Sequence, residues 1–135
     1  MTRFFRQGGF IVVIVLAILS VYGLEAQARR EVIVTPANQG DQAAYLAYAK
    51  QMHDSGYTVV GRRNRMPVFP FLLSLIYRPG LSETQFLTRA QSFNINLSIL
   101  ILLLLFLIFR KSFRPFYALA LLVMTAFGEI GRAHV

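Results

Sequence analysis

The chain has 135 residues, a net charge of +8, 56% hydrophobic residues and only 15% charged ones. A soluble domain carries about 25% charged residues, so the composition excludes an ordinary soluble fold. The positive charge is scattered among apolar runs, which favours a membrane surface or phosphate-bearing lipids over nucleic acid. Cysteine is absent, which excludes disulfides and thiolate metal sites.

In chain order, a short basic head, MTRFFRQ, leads into residues 7 to 24, which carry no charge. At 1.5 Å per residue that stretch reaches about 27 Å, close to the hydrocarbon core of a bilayer. It reads as a signal anchor. A cleavable signal is the alternative, because small residues follow Leu24 in EAQA. Residues 25 to 89 form a long polar loop. Within it, Glu31 to Thr35 (EVIVT) predicts a short strand, and Pro36 and Gly40 bracket a turn. A helix is expected from Gly40 or Asp41, with Tyr45, Tyr48 and Met52 on one face and Gly56 as its stop. Tyr57 to Val60 reads as extended. Met66 to Tyr77 is apolar but too short to span a bilayer, and suits a helix at the interface, with Pro70 in its first turn. Arg78-Pro79-Gly80 ends it. Residues 90 to 109 carry no charge and make the strongest membrane signal. Arg110, Lys111 and Arg114 follow, and Pro115 to Gly128 reads as a third span.

Glu129 to Val135, EIGRAHV, reads as the translation of a sequencing-library adapter. Residues 129 to 135 are therefore expected to be a non-native tail, the alternative being a native polar one. Residues 1 to 128 would then be the N-terminal part of a longer membrane domain. The basic flanks place both the N-terminus and the 110–114 connection in the cytoplasm by the positive-inside rule, and hence the loop 25–89 outside. That loop holds eight Lys and Arg, but loops above about 60 residues largely escape the rule. The expectation is an all-α, multi-pass bundle in the plasma (inner) membrane, with amphipathic or interfacial helices in its first extracytoplasmic loop.

Three groups of residues carry possible chemistry. The Asp41 carboxylate could accept a proton from a hydroxyl nucleophile at the membrane surface, or serve only as a helix N-cap worth about 1 kcal/mol. Arg62, Arg63 and Arg65 could bind a phosphate or pyrophosphate through forked bonds, or simply meet anionic head groups. Tyr45 and Tyr48 could line a sugar or lipid site, or be packing residues. His53 is a lone histidine with no ligand partners, and Asp54 belongs to the turn before Gly56. Arg78 and Arg89 read as interface anchors. Asn94 and Asn96 could bond neighbouring helices; Asn96-Leu97-Ser98 matches a glycosylation sequon very near the membrane. The chain contains no phosphate-binding glycine loop, HExxH or nucleophile elbow.

The stretches GDQAAYLAYAKQM, GRRNRMPVFPFLLSLIY and TRAQSFNINLSILILLLLFLIFRKSF occur in this order. Together they resemble the N-terminal part of a C-type (GT-C) membrane glycosyltransferase, of the dolichyl-phosphate-mannose-protein mannosyltransferase and aminoarabinose transferase kind. The resemblance covers roughly residues 8 to 128. It implies an inverting enzyme that moves a sugar from a polyprenyl-phosphate carrier to an acceptor at the extracytoplasmic face, with these residues alone inactive. Asp41 falls at the family's loop acid, a general base or acceptor-positioning group. Gln42 stands where the family often has a second acid. The arginines at 62, 63 and 65 lie where loop residues meet donor phosphate. The resemblance implies no cofactor, and a lone Asp beside Gln makes a poor divalent site, so no metal is expected. The rival expectation is a non-enzymatic small membrane subunit or transporter fragment, in which Asp41 only caps and the arginines only hold the surface. A secreted protein with a cleaved signal is a weaker rival, given the second span.

Overall fold

A computed structural model describes residues 2–32, 40–58 and 67–132, with side chains over 9–30, 41–58 and 67–128. Its described residues form five helices and no strand: α1 (Thr2–Val32), α2 (Gly40–Asp54), α3 (Val68–Ile76), α4 (Glu83–Ser112) and α5 (Pro115–Arg132). Two compact units divide the chain. One contains Met1–Val32 and Asn94–Val135, the other Ile33–Phe93. Helix α4 contributes its first turns to the second unit and the remainder to the first.

The first unit is built from α1, the later part of α4, and α5. Its core is thin: Val15 and Leu19 from α1, Leu102 and Phe106 from α4, and Ala118, Leu122 and Ala126 from α5. The α5 positions recur at i, i+4 and i+8, one face of a helix. Gly23 leaves room for α4, since a Cβ there would lie 3.2 Å from Ile99 Cδ1. Most of the apolar side chains point outward instead. Phe10, Leu16, Leu24, Leu104, Leu107, Ile108, Phe116 and Met124 are all exposed. Two helices, over Gly9–Arg30 and Glu83–Ser112, are long and apolar enough to cross a membrane by length and composition, and only 11% of the apolar window of each is buried. A core helix of a soluble protein would be hydrophobic all round and buried. Pro115 opens α5 at a position where its missing N–H costs nothing, and the Thr125 hydroxyl is satisfied by donating to Leu121 O at 2.8 Å.

Helix α1 continues past the expected end of its apolar stretch at Leu24. Glu25 and Arg29 pair across one turn at 3.1 Å, and LEAQARR consists of good helix formers. The expected strand therefore fails at its start, because Glu31 and Val32 are helical; Ile33 to Thr35 lie outside the described residues, as does the turn between Pro36 and Gly40. Likewise α4 begins at Glu83, seven residues before the charge-free stretch. Ser82 and Gln85 form a capping box that starts it there: Gln85 N–H donates to Ser82 Oγ at 3.2 Å, and Ser82 N–H donates to Gln85 Oε1 at 3.1 Å.

The second unit holds α2, α3 and the first turns of α4 around Leu46, Ala49, Leu73, Tyr77, Phe86 and Ala90. Ring pairs tie it together. Tyr45 meets Phe69 edge-on at 5.6 Å, His53 meets Tyr77 at 5.1 Å, and Tyr77 meets Phe86 at 5.1 Å; such pairs add about 0.5–1.5 kcal/mol each beyond area burial. Helix α2 starts and stops as its sequence predicts. Its end is a Schellman motif: Tyr57 N–H donates to Met52 O at 2.8 Å and Gly56 N–H to His53 O at 3.0 Å. Gly56 supplies a φ of 57°, which costs a glycine nothing. Tyr57 is not extended as expected; it too is left-handed, at φ 64°, because Gly56 and Tyr57 are the central residues of a turn closed by Thr58 N–H donating to Ser55 O at 3.3 Å, the pattern that takes positive φ at both, and its ring lies against Phe71. Val59 and Val60 lie outside the described residues. Helix α3 is nine residues long, about 13 Å, and does not cross a bilayer. Pro70 sits buried in its first turn, and Ser74, fully buried, donates to Phe71 O. The turn after it closes with Leu81 N–H donating to Arg78 O at 3.3 Å, Gly80 taking φ 91°, as a Pro-Gly type II turn requires.

Candidate functional site

Asp41 lies in the first turn of α2 and is exposed. A carboxylate there meets the positive end of the helix dipole, a position that serves a cap and a proton acceptor equally. Tyr45 and Tyr48 follow on α2. Tyr45 is half-buried with its ring edge-on to Phe69. Tyr48 is 1% exposed and Met52 likewise, so this face of α2 is turned into protein. Arg62, Arg63 and Arg65 lie outside the described residues, so of the predicted site residues only Asp41, Tyr45 and Tyr48 have positions. Arg78 and Arg89 are exposed, as anchors would be, and Asn94 and Asn96 are exposed on α4.

A different part of the second unit forms a cavity of about 820 Å³. Helix α2 lines it with Ala43, Ala47, Lys50 and Asp54, spaced at i, i+4, i+7 and i+11 and hence on one face. Leu46, Gln51 and Ser55 join them; Tyr77, Leu81, Glu83 and Phe86 close the other wall. The small side chains of Ala43 and Ala47 open the space, and the capping box brings Glu83 to it. The lining thus includes one lysine and two acidic residues, all three exposed, beside aliphatic and aromatic side chains. His53 Nδ1 lies 3.3 Å from Asp54 Oδ1. Lys50 and Asp54 are i, i+4 neighbours, yet no ion pair joins them among the described residues. Asp41, Tyr45 and Tyr48 do not line the cavity. The sequence carried two signals for it: the alanine, lysine and aspartate series on one helical face, and the Ser82-x-x-Gln85 box.

Among the described residues no three His, Cys, Asp or Glu side chains come together to hold a metal ion. Comparison with protein-family models, with curated proteins and with solved structures gave no match.

Proposed function

We propose that this chain forms part of a multi-pass membrane glycosyltransferase that takes its sugar from a polyprenyl-phosphate carrier at the extracytoplasmic face. The observation that carries the reading is the placement of Asp41: an exposed carboxylate opening a helix, in a unit that follows one membrane-length helix in the chain and leads into a second. Helix α3, in the same unit, supports an interfacial location. It exposes Val68, Phe71 and Leu75, an i, i+3, i+7 apolar stripe followed by the exposed Arg78.

In the reaction, an acceptor hydroxyl attacks the anomeric carbon as Asp41 takes its proton. The bond from that carbon to the carrier phosphate oxygen breaks, the configuration inverts, and the polyprenyl phosphate leaves with both bonding electrons. Arg62, Arg63 and Arg65 would stabilise the charge growing on that phosphate. Asp41→Asn in the complete reading frame is the test. Loss of sugar transfer by about 10²–10⁴-fold, with unchanged membrane insertion, is expected; undiminished transfer would remove Asp41 from the chemistry. A second reading, a non-enzymatic membrane subunit, is favoured by one observation: the cavity of the second unit is lined without Asp41.

A further inference from the structure

The cavity beside α2 has a chemistry the transferase reading does not use. Lys50 offers an ammonium, Asp54 and Glu83 offer carboxylates, and Leu46, Tyr77 and Phe86 supply the apolar wall. Such a set fits a ligand with one negative group, one hydrogen-bonding cation and a hydrocarbon body. Lys50 and Asp54 are one helical turn apart, with Cβ atoms about 6 Å from each other. They do not pair with each other; Asp54 Oδ1 lies 3.3 Å from His53 Nδ1, which leaves the second carboxylate oxygen of Asp54 and the Lys50 ammonium one turn apart for a zwitterion to bridge. Glu83 lies seven residues before the charge-free stretch that begins at Ala90. That is roughly 10 Å along α4, whereas the head-group layer beyond the hydrocarbon is about 5–8 Å thick on each face. A tilt of about 40°, the upper end of the range for transmembrane helices, brings Glu83 to the outer edge of the head-group layer.

We propose that this cavity binds the head group of a zwitterionic phospholipid bearing a primary amine. Its phosphate meets Lys50, its ammonium donates to Asp54 and Glu83, and the start of an acyl chain lies along Tyr77 and Phe86. A primary ammonium has three N–H donors for the two carboxylates, while a quaternary choline has none. The site therefore prefers phosphatidylethanolamine to phosphatidylcholine. Phosphatidylglycerol, lacking the cation, leaves both carboxylates unmatched. This inference rests on the membrane reading alone and stands or falls independently of sugar transfer.

The test uses the full chain in nanodiscs of phosphatidylcholine doped with a phosphatidylethanolamine that carries a photoreactive group near its head, with cross-links mapped by mass spectrometry. Cross-links to residues 43–55 and 77–86 are expected, competed by unlabelled phosphatidylethanolamine and not by phosphatidylglycerol. Lys50→Gln and Glu83→Gln should each reduce them by about tenfold. Ala47→Trp, which fills the space without touching a charge, should abolish them. Competition by soluble glycerophosphoethanolamine would support the head-group site and make the free compound a ligand too; its failure would support the lipid as sole source. Cross-linking that is equal with all carriers, or unchanged in the three variants, would overturn the proposal.

Discussion

The two units of this chain bury opposite things. In the unit made of α1, the later part of α4 and α5, a narrow seam of Leu, Phe and Ala is inside and most large apolar side chains are outside. In the unit holding α2 and α3, Tyr77 and Phe86 are buried and the rings meet edge-on, while α2 ends in a Schellman motif and α4 begins in a capping box. The difference teaches which solvent each unit is made for. A cluster of rings closed by a Schellman motif and a capping box suits water or the head-group layer, where helix ends compete with solvent for their hydrogen bonds. A surface of Leu, Ile, Val and Phe suits lipid, which rewards close backbone packing such as Gly23 allows, not apolar burial.

The comparison can be broken by substitution. The largest effect is expected from Phe86→Ala, which removes the ring that meets Tyr77 from a buried site. It should cost about 3–5 kcal/mol, read as faster hydrogen exchange over α2 and α3, with insertion of the apolar helices unchanged. Leu104→Arg tests the other side. Leu104 is half-exposed near the middle of the apolar run of α4, so a soluble bundle would tolerate arginine there. A membrane helix should lose about 3–4 kcal/mol of insertion free energy, visible in an insertion assay. The smallest effect is expected from Ser82→Ala. Losing one cap should cost about 1 kcal/mol and fray the first turn of α4, which exchange at Thr84 and Gln85 would report; no change there would mean the box is idle.

Much of this was legible from local chemistry. Asp41 and Gly56 mark the two ends of α2 because a first-turn acid and a left-handed glycine are strong local signals. Pro67, Pro70 and the Arg78-Pro79-Gly80 turn bound α3 for the same reason. The apolar stretches announce themselves by length. What the sequence hid were the ends where polar residues continue a helix. Glu25 and Arg29 pair where α1 runs on beyond Leu24, which hydropathy cannot see, and Glu31 and Val32, expected to open a strand, continue that helix. Tyr57 is left-handed because it shares a turn with Gly56, closed by Thr58 N–H on Ser55 O, a conformation that a bulky residue seldom takes and that its type does not signal. The place of Asp41 in the first turn of α2 could be read directly. The inward turn of Tyr48 and the cavity beside Lys50 depend on which face of α2 packs, and the Tyr45–Tyr48–Met52 stripe and the Ala43–Ala47–Lys50–Asp54 stripe compete for that role on paper.

The proposed reading takes α1 and α4, both long and apolar enough to cross a membrane, as spans and puts Gln51 on the extracytoplasmic side. The chain has no cysteine, so single cysteines can report topology directly. Gln51→Cys, Leu104→Cys and Lys111→Cys would be exposed in intact cells to a membrane-impermeant maleimide. The account predicts labelling of position 51 at once, of position 111 only after permeabilisation, and of position 104 in neither case. Labelling of 51 and 111 from the same side, or of 104 in intact cells, would contradict it.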